Sequence, residues 1–333
     1  MKLSSNWSDY EIIASGNGEK LERWGSYILR RPDPQAVWPA EKGAGGWLNA
    51  DAIYHRSASG GGNWEFLRKL PQSWEIAYRN LRFNITPMQF KHTGIFPEQA
   101  VNWDWMAGKL RGGDGAGSGG SASGGDGIGG GGSEQACGDG IGGGGSEQAC
   151  GGGGGVSGGA RVLNLFAYTG AATVAAASAG ARVCHVDAAR GMVAKAKENA
   201  ALSGIAADRL RYIVDDVFKF TRREIRRGAR YDAVVMDPPA YGRGPDGELW
   251  KAETHLYEIV ELCAALLSET PLFFIVNSYS TGISAAAIEN VLKIAVGGRF
   301  CGRTESGELG LPVTRGRFVL PCGCCARWER IAQ

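Results

Sequence analysis

The chain has 333 residues, 44% of them hydrophobic, a formal net charge of +2 and 53 glycines. That length and apolar content suit two domains with a sizeable core, and no uninterrupted run of 18 apolar residues is present to form a membrane-spanning helix. The eight cysteines lack the spacing of a secreted disulfide framework, and MKLSSNWSDYE contains no apolar run of the signal-peptide kind, so the expectation is a reduced, cytoplasmic protein with no membrane partner.

Residues 1–105 are rich in Trp and Tyr, and segments such as WGSYILRRP and WEIAYRNLRFNITPMQF alternate apolar with polar positions. This predicts a small, strand-rich N-terminal domain. NWDWMAGKLR predicts one short helix leading out of it. Between 112 and 159 the composition turns to Gly, and GDGIGGGGSEQAC occurs twice in tandem, at 125–137 and 138–150. Such a stretch has too little apolar surface to offset its ordering entropy. It is expected to be a flexible insert without chemistry of its own.

From 160 to 333 strands and helices alternate. RVLNLFAY, ARVCHVD, RLRYIVDD, YDAVVMD and LFFIVNS read as strands. AATVAAASAG, AARGMVAKAKENAALSG, VFKFTRREIRR and ELWKAETHLYEIVELCAALL read as helices, with Gly180 and Gly204 as stops, and the tail GELGLPVTRGRFVLPCGCCARWE reads as a terminal hairpin. The pattern predicts an α/β fold of the Rossmann-like, doubly wound and mainly parallel kind.

VVMDPPAYG sharpens the functional question. Val234 to Met236 form an apolar run, and Pro238 and Pro239 forbid both continuation of the strand and an immediate helix, so Asp237 is held at a strand end. Asp187 closes the second strand and Asp215-Asp216 the third, which sets carboxylates at three successive strand ends, where open α/β sheets bind ligands. Gly170, at the first turn, allows close backbone approach, and Asp187 follows it by 17 residues, a spacing suited to a ribose. Neither a G-x-G-x-x-G fingerprint nor a P-loop Lys follows the first strand. A cationic nucleoside without phosphates fits such acidic strand ends, and S-adenosylmethionine is one.

LNLFAYTGAAT, HVDAARGMVAKAKENAALSG, VDDVFKF and VVMDPPAYG together resemble the sequence motifs of class I S-adenosylmethionine-dependent methyltransferases. With HTGIFPEQ, His92 to Gln99, they are similar more narrowly to the ribosomal large-subunit RNA cytosine-5 methyltransferase family. The resemblance implies S-adenosylmethionine as cofactor and ribosomal RNA as partner. It implies cofactor contacts from Phe96, Gln99, Asn164, Phe166, Ala167, Tyr168, Thr169 and Gly170, with Asp187 on the ribose and Asp216 and the Val217 backbone on the adenine. It implies that Asp237, Pro238 and Pro239 face the methyl group and the incoming substrate. Tyr241 would stack on a base or pack against Leu256.

Cytosine-5 chemistry needs a thiolate on C6 of the ring. The sequence has Pro239-Ala240 at one expected thiol position and Asn277-Ser278-Tyr279-Ser280 at the other, neither with sulfur. Transfer to a ring nitrogen or exocyclic amine needs no covalent intermediate, only an acceptor such as Asp237 or Asn277. Cys322, Cys324 and Cys325 lack a second pair at zinc spacing and read as small buried residues. Cys322 would supply the thiol only if the hairpin turned into the crevice. No metal site is expected. Residues 161–333 carry 22 Lys/Arg against 18 Asp/Glu, and residues 1–105 carry 12 against 11, so the support for RNA beyond the resemblance is confined to Arg222, Arg223, Arg226 and Arg227 and the Trp-rich N-terminal region. A methyltransferase acting on protein or a small molecule, and a non-catalytic nucleoside- or RNA-binding protein, remain the alternative readings.

Overall fold

The computed structural model describes residues 1–40, 47, 49–57, 61–87, 91–112, 159–244, 246–280 and 282–331. The Gly-rich repeat lies outside the described residues. In chain order the elements are β1 (Lys2–Leu3), β2 (Tyr10–Gly16), β3 (Glu19–Trp24), β4 (Tyr27–Pro32), β5 (Ala52–Arg56), β6 (Gly62–Phe66), β7 (Trp74–Tyr78), β8 (Leu81–Ile85) and α1 (Ala100–Leu110). They continue with β9 (Arg161–Leu165), α2 (Ala171–Ser178), β10 (Arg182–Asp187), α3 (Arg190–Leu202), β11 (Leu210–Val214), α4 (Val217–Arg226), β12 (Ala233–Met236), β13 (Tyr241–Arg243), β14 (Leu249–Lys251), α5 (Ala252–Ala264), β15 (Phe273–Ser278), α6 (Ala285–Leu292), β16 (Gly302–Val313) and β17 (Phe318–Arg330).

The C-terminal half is doubly wound. β11, β10, β9, β12 and β15 lie side by side in that order, all parallel, and β17 joins β15 antiparallel with β16 as its hairpin partner. The chain runs outward from β9 to β11, then returns to β12 on the opposite side of β9, so the topological switch lies between the carboxyl ends of β9 and β12. Alternation along these strands divides the core. Val162, Val183, Val235 and Ile275 pack on one face with Val174 to Ala177 of α2 and with Trp103 and Met106 of α1. Leu163, Val186, Val234 and Val276 pack on the other with Phe220 of α4, Ile259 and Val260 of α5 and Leu292 of α6. Burying each large apolar side chain contributes about 1.5–3 kcal/mol, which makes the two-sided burial of these short strands the main support of the site.

The N-terminal residues are strand-rich as expected. Strands β2 to β6, antiparallel except for the parallel β4–β5 pair, join the same sheet where Ile12 of β2 pairs with Val313 of β16, β1 also runs parallel to β16, and the β7–β8 hairpin stands apart, turning at Arg79 with φ 54°. Tyr10, Trp24, Ile76 and Phe83 belong to the apolar cluster that covers α1 and α2, so the N-terminal core continues into one face of the C-terminal sheet. One sequence expectation is corrected here. Residues 249–251 are not helical: β14 pairs antiparallel with β13, Trp250 opposite Gly242, and α5 begins only at Ala252. No helix among the described residues is long and apolar enough to cross a membrane.

Candidate active site

The loop leaving β9 is held in an unusual shape. Phe166 (φ 52°) and Tyr168 (φ 51°) both adopt the left-handed conformation, as does Gly170 (φ 81°). Non-glycine residues pay for that conformation and keep it only where the surroundings fix it, often around a ligand. The fixing contacts are explicit: Ala167 N donates to Val186 O (3.1 Å), Tyr168 N to Asp187 Oδ2 (2.7 Å), and Asn199 Nδ2 to Thr169 O (2.9 Å). Thr169 Oγ1 donates to Gly94 O, which ties the loop to the 92–99 segment. Gly170 is required by packing, since a methyl group there would sit 2.7 Å from Ala196 Cβ.

Asp187 ends β10 with its carboxylate anchored twice, by Tyr168 N and by Ala189 N (2.8 Å). Burial still pushes its pKa up against those two donors. Asp216 caps α4, its Oδ1 accepting from Phe218 N and Lys219 N at 3.0 Å each. Asp215 is taken out of the site by Arg223 (2.6 Å). Asp237 lies at the switch point, its N–H directed at Leu165 O (3.4 Å). Its Oδ1 is buried without a hydrogen-bond partner. Burial, and then the charge of nearby Glu98, push this carboxyl up to about 8.

Three cavities meet around these groups. The largest, about 670 Å³, is lined by Asp187, Asp216, Asp237, Phe166, Phe218 and Trp250 among others. Trp250 packs on Phe166 (4.7 Å between ring centroids) and donates from Nε1 to Pro239 O (2.6 Å), which braces the second proline. A small hollow of about 50 Å³ lies beneath the β9 loop and reaches Gln99, Asn164, Ala167 and Thr169. A third, about 350 Å³, is bounded by the N-terminal strands, the 91–98 segment and the C-terminal hairpin. Phe96 borders all three. The large cavity combines flat aromatic walls with the three strand-end carboxylates Asp187, Asp216 and Asp237, while its two glutamates, Glu248 and Glu258, are paired with Lys219 and Arg222, an arrangement that fits an adenosine carrying a positive charge.

Comparison with known proteins agrees with this geometry. The family model for the S-adenosylmethionine-dependent methyltransferase matches residues 154–290. The crystal structure of a SAM-dependent methyltransferase from Agrobacterium tumefaciens is 32% identical, covers 99% of this chain and 93% of its own, and superposes with a TM-score of 0.80. The chain belongs to the S-adenosylmethionine-dependent methyltransferases. Among curated relatives, ribosomal RNA large subunit methyltransferase I of Klebsiella pneumoniae (strain 342) is 39% identical over 82 residues, 24% of this chain and 20% of that protein. Ribosomal RNA large subunit methyltransferase K of Neisseria meningitidis serogroup B (strain ATCC BAA-335 / MC58) is 42% identical over 84 residues, 25% of this chain and 24% of that protein. The matched stretch thus spans only a fifth to a quarter of those relatives.

Within this methyltransferase the residues singled out in the sequence fall into groups. Phe96, Phe166, Tyr168, Asp187, Asp216, Val217, Asp237, Pro238 and Pro239 converge on the large cavity. Gln99, Asn164, Ala167 and Thr169 reach only the small hollow, and Gly170 and Tyr241 line neither. Asn164 is buried and donates to Thr173 Oγ1 (2.9 Å), which in turn meets His185 Nδ1 (2.9 Å), so its amide serves the packing of α2. Tyr241 is 55% exposed at the start of β13. Asn277 is removed as an acceptor: Asn102 Nδ2 donates to its Oδ1 (2.9 Å), and its own amide reaches Met236 O (3.5 Å).

Cys322 stays largely buried, and the hairpin brings it to the third cavity and not to the large one. Cys322 shares the third cavity with Pro239 and Tyr279. Its thiol donates to Leu320 O (3.3 Å), and burial, followed by the charge of Glu98, holds its pKa well above normal, the reverse of an activated thiol. Cys324 and Cys325 are buried as expected, and no group of three or more metal-ligating side chains occurs among the described residues. Three of the four arginines of the basic run are already paired, Arg222 with Glu258, Arg223 with Asp215 and Arg227 with Glu224. Trp250, Phe218, Glu98 and Tyr279 were missed in the sequence. Only Phe218 had a signal there, as a bulky residue inside the acidic VDDVFKF motif.

Proposed function

We propose that this methyltransferase methylates a base nitrogen of RNA, with ribosomal RNA as the substrate and the cytoplasm as its place of action. The observation that carries the reading is the buried, unpartnered Oδ1 of Asp237 at the junction of the cavities. S-adenosylmethionine supplies an electrophilic methyl group on a sulfonium. Asp187 would hold the ribose hydroxyls with the outward lone pairs its backbone donors leave open, Asp216 would accept from the adenine amine, and the Val217 backbone would meet the ring. Phe96 and the Phe166 to Gly170 loop, with Gln99 beneath, would enclose the methionine end.

S-adenosylmethionine would supply the methyl group to the base nitrogen's lone pair, its sulfur keeping the bonding electrons. Asp237, raised to about 8 on its own but favoured as the anion beside a sulfonium, would take the proton that the nitrogen loses on its unpartnered oxygen. Pro238 and Pro239, fixed by Trp250, keep the carboxylate and the neighbouring carbonyls in place, which is where positioning supplies rate. The similarity to two ribosomal RNA methyltransferases supports the RNA substrate, and the residues 1–105 would act as a unit that presents it.

The test is transfer of labelled methyl from S-adenosylmethionine to unmodified ribosomal RNA, followed by chromatography of the digested nucleosides, for the parent and Cys322→Ala. Label in an N-methylated nucleoside, unchanged by Cys322→Ala, is the expected result. Label in 5-methylcytidine that disappears with Cys322→Ala would assign the hairpin thiol as nucleophile and overturn nitrogen transfer.

A further inference from the structure

The third cavity has a composition of its own. It adjoins the cofactor cavity through His92, Phe96, Pro239 and Tyr279, which border both. The Asp237 to Ala240 segment runs from one to the other, Asp237 lining the first, Pro239 both, and Ala240 only the second. An acceptor lying there would therefore reach the transfer point across Pro239.

Charge in this chamber is uneven. Arg31 is neutralised by Glu22 through two hydrogen bonds (2.6 and 2.8 Å), and Lys20 by Asp33 (3.2 Å) and Glu22 (3.5 Å). Arg31 also donates to the Lys91 carbonyl (2.6 Å), which fixes the backbone of that residue. Lys91 itself forms no ion pair among the described residues, and burial together with the neighbouring cations lowers its pKa. A half-buried ammonium in that position gains from an anion. Glu98, buried, lines the same chamber with Tyr279, whose hydroxyl accepts from Gln99 Nε2 (2.7 Å). Burial pushes the Glu98 carboxyl up, against the pull of Lys20 and Arg31. Phe96, Pro239 and Tyr279 give the chamber flat walls.

We propose that this chamber receives the extruded target nucleotide, Lys91 binding its phosphate and Glu98 the hydrogen-bonding edge of its base. The inference rests on the RNA reading above and specifies how that substrate is held. A cation without an ion partner among the described residues, a buried carboxyl and flat walls, together in one chamber of about 350 Å³, match the parts of one nucleotide, and enzymes that modify bases take them out of the stack into such pockets. An accepting carboxyl oxygen suits a base that presents an exocyclic amine better than uracil.

The test is equilibrium binding of the four nucleoside 5′-monophosphates and the corresponding nucleosides to the full chain loaded with S-adenosylhomocysteine, for the parent, Lys91→Met and Glu98→Gln. The expected result is at least about tenfold tighter binding of the monophosphate than of its nucleoside, abolished by Lys91→Met with nucleoside and S-adenosylhomocysteine affinities unchanged. Glu98→Gln should compress the preference among bases while keeping the phosphate gain. No monophosphate binding at millimolar concentration, or a phosphate gain that survives Lys91→Met, overturns the proposal. The two readings fail separately. Protein that binds nucleotides in this way but labels no ribosomal RNA keeps the chamber and loses the RNA substrate; protein that labels the RNA with the same KM after Lys91→Met keeps the substrate and loses the chamber.

Discussion

Replacing Asp237 by Asn should make the protein more stable, and by an amount that depends on pH. The native carboxyl titrates at about 8 against an ordinary 3.8, a difference of about four units. At about 1.36 kcal/mol per unit the ceiling is roughly 5–6 kcal/mol. One oxygen is sealed while the residue as a whole is only half-buried, so screening at the open side brings the expected value to about 2–3 kcal/mol. The sign follows from linkage: the folded state disfavours the ionised form, so the parent loses stability as pH rises from about 4 to about 8 and levels off above that. The amide introduced by Asp237→Asn does not titrate. Urea unfolding followed by tryptophan fluorescence at intervals from pH 4 to pH 9 would show the two proteins nearly equal at the acid end and the variant ahead by about 2–3 kcal/mol at the alkaline end. A constant gap across the range, or a parent that is the more stable at pH 9, would refute the assignment of Asp237 as a buried carboxyl without a partner.

Other consequences follow from the same contacts. A sulfonium seated beside Asp237 favours its ionised form, so S-adenosylmethionine binding at pH 7 should release a proton, read by calorimetry in buffers of different ionisation enthalpy and absent in Asp237→Asn. Asp187→Ala should weaken S-adenosylmethionine binding by at least about tenfold in the same calorimeter, because it removes the ribose acceptor and frees the Tyr168 and Ala189 amides together. Glu22 lies in a buried cluster, where burial opposes its charge but Arg31 and Lys20 outweigh that and bring its pKa down to about 2; Glu22→Gln should cost about 3–5 kcal/mol in urea unfolding at pH 7 by leaving Arg31 unpaired. Burial lowers His185 to about 3 and His92 to about 4. Both must remain neutral in the folded state, so the stability they contribute is present above about pH 6.5 and is lost as pH falls toward those values, a slope that His185→Gln should reduce.

The parts of the site that could be read in the sequence are those set by local rules. Asp187 and Asp237 follow apolar runs that are too short and too β-branched for helices, and the prolines after Asp237 fix where its strand must end. Asp216 closes the third apolar run directly before the helical VFKFTRREIRR. What could not be read depends on contacts between distant segments. Trp250 sits in a window whose apolar spacing favours a helix, and only pairing with residues 241–243 draws Leu249–Lys251 into a strand. Glu98, beside Pro97, has the local character of a surface carboxylate; Tyr279 and the C-terminal hairpin bury it. The same long-range closure brings Cys322 to the chamber and consumes Asn277 in the network of Asn102 and Arg327.

The most direct test of the account measures one turnover of methyl transfer to unmodified ribosomal RNA by the parent and by Asp237→Ala, with S-adenosylmethionine affinity determined on the same preparations. An affinity within about threefold of the parent and a transfer rate lower by at least about 100-fold is the predicted result. A transfer rate within about threefold of the parent would contradict the claim that Asp237 accepts the proton at the point of transfer.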